Sequence, residues 1–115
     1  MHTDISIQHE IHDEIIVFSF NWELDETNTD KVFSDIHKEI SVSEKTYVIF
    51  DFTNLKYLNS KAIWYVADSF SVLQDKWGQL VICGMNDSVV MVADIVWLQS
   101  IVKTYNTLDE AINAK

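Results

Sequence analysis

The chain has no proline and only two glycines in 115 residues. That excludes proline- or glycine-rich linkers, and it leaves almost nothing from which to build a phosphate-cradling loop or a strained nucleophile elbow. Cysteine occurs once, so an internal disulfide is impossible. Cys83 closes the apolar run Leu80-Val81-Ile82-Cys83 and reads as a small buried side chain, in keeping with a reducing cytoplasm. Cations are scarce too: 8 basic residues against 18 acidic ones give a formal net charge of -10, which repels a phosphate backbone and argues against nucleic acid as a partner. No apolar run approaches the length of a bilayer span, and Met1-His2-Thr3-Asp4 lacks the basic start and apolar stretch of a secretion signal. Direct membrane insertion is therefore not expected, and any membrane contact goes through a partner.

What is present belongs to a folded domain. Apolar residues make up 48% of the chain, with four Trp, four Tyr and six Phe, enough for one core and too few residues for two. With no repeat and no low-complexity stretch, residues 1–115 read as one domain. Ile5 and Ile7 alternate with polar neighbours, as in an edge strand, whereas Ile15-Ile16-Val17-Phe18 is continuously apolar, as in a strand covered on both faces. Val32, Phe33, Ile36 and Ile40 form a helical stripe, and Asp25 or Thr27 can accept hydrogen bonds from that helix's first free amides. Tyr47-Val48-Ile49-Phe50 is a third strand, followed by a long helix from about Ser60 to Gly78, with Gly78 suited to a left-handed cap. A strand over Gln79 to Cys83, a helix over Ser88 to about Trp97, a short strand over Ile101 to Thr104 and a helix over Thr107 to Ala114 complete the alternation. Thr107 and Glu110 carry the spacing of a capping box at the last helix. The class is α/β, with about five mostly parallel strands in a mixed sheet and about four helices.

On the long helix, steps of 100° place Ala62, Ile63, Val66, Phe70, Leu73 and Trp77 on the packing face. Lys61, Trp64, Tyr65, Asp68, Val72 and Asp75 point the other way. An indole left in water forgoes roughly 2 kcal/mol of burial, so either another element covers Trp64 or a partner does. Lys61 puts a cation in the first turn, where the helix dipole is positive, a local mismatch of the kind found at contact sites. Ser60 is the expected N-cap of this helix.

The helix around Val89 to Leu98 contains one charged residue, Asp94. Val89, Val92, Ala93 and Val96 form its packing face. Met91 and Ile95 lie opposite, together with Leu98, so this side either contacts another chain, including a second copy, or wedges between neighbouring helices. His9-Glu10-Ile11-His12 brackets a strand turn without a third ligand nearby and reads as surface or structural histidine; no metal or other cofactor is expected. Asp51 at the end of a central strand is similar to the phosphoacceptor of receiver domains, but those need an acidic pair after the first strand. Residues 19 to 23 supply Glu23 alone.

Two strings carry a more specific likeness. Trp22-Glu23-Leu24-Asp25 resembles the Gly-Glu-Leu-Asp turn of STAS domains, the fold of bacterial anti-sigma-factor antagonists, and Asn59-Ser60-Lys61-Ala62 stands where that family has Asp-Ser-Ser/Thr-Gly. Asp51-Phe52-Thr53-Asn54-Leu55, Lys76-Trp77-Gly78-Gln79-Leu80-Val81-Ile82, Ala93 to Val102 and Thr107-Leu108-Asp109-Glu110-Ala111 follow the family's later segments in order. The resemblance implies a non-enzymatic protein-interaction module of signal transduction and transcriptional regulation. It implies docking of a cytoplasmic anti-sigma-type kinase through Asp25, Asn59, Ser60, Lys61 and Trp64. In the family, phosphate on the second hydroxyl residue ejects that partner; Lys61 holds this position and has no hydroxyl, so the usual phosphorylation cannot operate. Ser60 matches the first serine, with capping and phosphate acceptance as its two readings. Asp25 either caps the first helix or pairs with Lys61. The alternatives within the same fold are an accessory subunit of a lipid-transport ATPase and a self-associating scaffold; a receiver with its acceptor at Asp51 is the alternative outside it.

Overall fold

Alternation in the central strands fixes which helices lie on which side of the sheet. The computed structural model describes residues 7–12, 14–25, 27–43, 46–90 and 95–115. Its elements in chain order are β1 (Ile7–His12), β2 (Ile15–Leu24), α1 (Thr29–Val42), β3 (Tyr47–Leu58), α2 (Ser60–Asp75), β4 (Gln79–Cys83), α3 (Asp87–Val90), α4 (Ile95–Gln99), β5 (Lys103–Tyr105) and α5 (Leu108–Asn113). The strands form one five-stranded sheet in the order β1-β2-β3-β4-β5, with β1 antiparallel to β2 and every later pairing parallel. The expected mixed, mostly parallel α/β sheet is the one observed.

Ile16, Phe18, Phe20, Val48, Phe50, Phe52, Leu80 and Ile82 project to one face, where they meet residues of α1, α2, α3 and α4. Ile15, Val17, Tyr47, Ile49, Val81 and Cys83 project to the other, where Ala111, Leu108 and Ile112 of α5 cover them. Because successive strand residues face opposite ways, the apolar runs that looked continuous in the sequence serve two half-cores. Phe20 anchors the larger one, edge-on to Phe50 at 5.3 Å and to Phe52 at 5.2 Å between ring centroids. On the other face the Tyr47 hydroxyl donates to the Ala111 carbonyl at 2.8 Å, tying α5 to the sheet, and Cys83 is fully buried as expected.

Several local expectations change. Ile5 lies outside the described residues, and His9 to His12 lie within β1 rather than around a turn. The short fifth strand begins at Lys103, two residues later than expected, while the Thr107–Glu110 capping box is formed in full. At the end of α2 the left-handed residue is Trp77, with φ of 61°, and not Gly78. Trp77 N–H donates to the Gln74 carbonyl and Gly78 N–H to the Leu73 carbonyl, at 3.1 and 2.7 Å, the two bonds of a Schellman cap. The reason glycine follows is space: a Cβ at Gly78 would lie 2.6 Å from the Thr46 carbonyl oxygen. Trp77 is 96% exposed, so it is not part of the packing face and recovers no burial for its unfavourable backbone. Trp77→Gly is therefore expected to raise stability by about 0.5–1 kcal/mol, read as a higher urea midpoint by circular dichroism, with Trp77→Ala giving no such gain.

Candidate functional site

The C-terminal ends of parallel strands converge where their following loops start, and here the ends of β2 and β3 are held side by side. Leu24 pairs with Leu58, and the Asn59 N–H donates to the Leu24 carbonyl at 3.0 Å, so Asp25 and the residues opening α2 share one edge of the sheet. Asn59 is the N-cap: its side-chain oxygen accepts from the Ala62 N–H at 2.9 Å. Ser60, expected in that role, is the first helical residue and is exposed; its hydroxyl has no hydrogen-bond partner among the described residues. The shift by one position follows from backbone geometry, since Asn59 is extended (φ -90°, ψ 173°), as a capping residue must be.

Lys61 does not pair with Asp25. Its ammonium sits 2.8 Å from Oδ1 of Asp30, on the first turn of α1, and the Tyr65 hydroxyl donates to the same oxygen at 2.6 Å. Asp25 is turned back on its own loop, where Oδ1 accepts from the Thr27 N–H at 2.8 Å and the Thr27 hydroxyl at 2.6 Å. Its carbonyl receives Thr29 N–H and the Thr29 hydroxyl, and its N–H donates to Asn28 Oδ1 at 3.0 Å. Asp25 therefore neither pairs with Lys61 nor caps α1 through its carboxylate: the N-cap position is held by Asn28, and the Asp25 side chain closes the turn before it. The electrostatics follow these contacts. Hydrogen bonds from Lys61 and then Tyr65 hold the Asp30 carboxyl below its usual range, and the same bonds raise Lys61 and Tyr65. For Asp25 the Thr27 hydroxyl is the main cause of a lowered value.

Trp64 is 61% exposed, and what cover it has comes from Trp97 of α4, with ring centroids 5.0 Å apart and planes at 45°. Cover by another element is thus only partial, and most of the indole remains in water. Tyr65, placed on the outer side by the helical projection, is half-buried, stacked on Phe33 at 5.2 Å and 11°. The stripe was drawn for packing against a sheet alone, and α1 widens the buried arc.

The other proposed surface is overturned where it is described. Ile95 is fully buried, as is Leu98, while Val96 is 68% exposed. One helical phase carried from Val89 through Val96 would bury Val96 instead; α4 packs in its own phase. Met91 lies outside the described residues. Asp51, the receiver alternative, has its Oδ1 engaged by the Thr53 N–H and hydroxyl at 3.0 and 2.6 Å, and its charge, after burial, helps push the Cys83 thiol up to about 12. Among the described residues no group of three His, Cys, Asp or Glu side chains is placed to hold a metal ion, and no helix is long and apolar enough to cross a membrane.

Asp30 and Trp97 were missed in the sequence. Asp30 carried a usable signal as an acid in the first turn of a predicted helix, but its partner comes from packing of α1 on α2. Behind it, His37 joins the same seam. The Ser69 hydroxyl gives its proton to the Tyr65 carbonyl at 2.9 Å, so it accepts from His37 Nε2–H at 2.8 Å, which places a proton on Nε2. Burial lowers the His37 pKa from 6.5, opposed by Asp68. The unfolded chain then takes up the proton first. The contribution of His37 to stability is fully present above about 6.5 and is lost as pH falls through the lower folded value. Urea unfolding across that range should show a stability loss that is smaller in His37→Gln, which keeps a donor for Ser69.

Comparison with known proteins agrees with this fold. The model of the STAS domain family matches residues 6–111. An anti-sigma F factor antagonist from Paenibacillus polymyxa is 22% identical over 111 residues, covering 96% of this chain and 92% of that protein. Among solved structures, an anti-sigma factor antagonist from Mycobacterium paratuberculosis superposes with a TM-score of 0.85 at 21% identity, covering 96% of this chain and 93% of its own. The Bacillus cell fate determinant SpoIIAA in its phosphorylated form gives 0.72 at 21% identity, covering 95% of this chain and 98% of its own. With a family match over nearly its whole length and the sheet order just described, the chain belongs to the STAS domain family.

Proposed function

We propose that this chain is a non-enzymatic regulatory module of the anti-sigma factor antagonist kind, which docks a cytoplasmic kinase-type anti-sigma partner at the opening of α2. The observation that carries this reading is the joint exposure of Lys61 and Trp64 one turn apart, on a helix mouth fixed by Asn59 and flanked by the Asp25 loop. Asn59, Ser60, Lys61 and Trp64 present the contact surface, and Asp25 shapes its edge.

Control differs from the usual phosphate switch, because the side chain at that position is an amine already neutralised by Asp30. Ser60 is the remaining hydroxyl. Relieved of capping by Asn59, it is open to a kinase, and a phosphate there would add up to about two negative charges beside the docking residues. Capture with an anti-sigma-type kinase from the native host tests the reading: binding is retained by the native chain and lost in Lys61→Glu. Equal capture by both would remove this surface from consideration. Mass spectrometry of the captured protein reports whether Ser60 carries phosphate.

A further inference from the structure

The outer face of α2 carries Trp64, Asp68 and Asp75 in one line, since residues 4 and 11 positions apart return to nearly the same direction on an α-helix. All three are exposed, and the line is roughly 16 Å long at 1.5 Å per residue. Neither Asp68 nor Asp75 forms an ion pair with a lysine among the described residues, whereas the one cation on this face, Lys61, is held by Asp30. Beside the line, α4 adds Trp97, 43% exposed and 5.0 Å from Trp64; Val96 of α4 and Ile101 just after it are also exposed apolar side chains. Two partly exposed indoles, with one exposed carboxylate a turn away and a second farther along the helix, neither in an ion pair with a lysine among the described residues, form a receptor for a basic segment that also has apolar side chains.

We infer that the Trp64–Trp97 pair and the carboxylates of Asp68 and Asp75 bind a basic amphipathic segment of the partner protein, with an arginine guanidinium stacked on the indoles. This inference rests on the docking reading above and names the chemistry of what docks. Charge selects the occupant. A second copy of this chain brings another net charge of -10 and contains no arginine, so its approach across this face is repelled and unrewarded. A planar guanidinium, in contrast, stacks on an indole and retains in-plane donors for Asp68, one turn along, while Asp75 is left for a second basic residue of the segment.

The test uses the full chain labelled with fluorotryptophan, its four resonances assigned by single Trp→Phe variants, and a short helix-forming peptide with leucines on one face and arginines beside them. Fluorine NMR is expected to show saturable shifts at Trp64 and Trp97 and none at Trp77. Replacing the arginines by citrulline, their uncharged near-isostere, is expected to weaken binding about tenfold, as is the Asp68→Asn, Asp75→Asn double variant. Equal binding of the citrulline peptide, parallel shifts at Trp77, or shifts that depend on protein concentration alone would each overturn the inference, the last in favour of self-association. If kinase capture depends on Lys61 while the peptide shows no preference for charge, the docking reading survives and this one fails.

Discussion

Gly84→Ala is expected to be among the most damaging single-methyl additions to this chain, lowering its unfolding free energy by roughly 3 kcal/mol through backbone strain and overpacking together. Gly84 follows β4 with φ of +73°, in the left-handed region that a side chain disfavours, and its N–H donates to the Tyr105 carbonyl at 3.1 Å. A Cβ there would stand 2.8 Å from the Thr53 nitrogen and 2.9 Å from its Cα, and would also overlap the Thr53 hydroxyl. The hydroxyl can move away; the main chain of β3 cannot, because its neighbouring segments are paired in the sheet. Thermal unfolding should therefore fall by about 10 °C or more, and a Thr53→Ala background should restore only part of the loss. Full restoration would show that the main-chain contact is not what fixes this turn.

Trp64→Ala is expected to weaken partner binding by about 30-fold or more, the level of an interface hot spot, while leaving the unfolding midpoint close to that of the native chain. The two effects separate because the indole is mostly in water: the molecule loses a partial contact with Trp97 and opens no cavity in the core. Trp97→Ala should weaken binding less than Trp64→Ala, and the double variant should lose less than the sum of the single losses, since each ring orients the other. Surface plasmon resonance with the purified partner gives the affinities, and circular dichroism confirms the fold. Strict additivity would show two independent side chains instead of one aromatic surface.

Wherever structure is decided locally, the sequence was a good guide. The β-branched and aromatic runs of β2, β3 and β4, and the Thr107–Glu110 capping box, depend on neighbours a few residues away. The site was harder because its contacts cross between elements. Asp25 and Asp30 are both acids near the start of α1, and which one reaches Lys61 depends on the turn in which Asp25 is engaged by Thr27 and on the packing of Phe33 against Tyr65. A one-residue error in the helix start was enough to give Ser60 the role of Asn59. At the other end, Gly78 was assigned the conformation that Trp77 adopts, because a cap glycine was expected for its φ when it was needed for its lack of a Cβ. Ile95 was turned outward by extending one helical period across residues whose neighbours pack in a different phase.

The most direct measurement is site-specific photocrosslinking in the native host, with the reactive residue placed at position 64 in one strain and at Asp109 of α5, on the opposite face of the sheet, in another. Adducts with an anti-sigma-type kinase from position 64 and none from position 109 are the predicted result. Kinase adducts from position 109 alone would show that the partner attaches to the α5 face and contradict docking at the opening of α2.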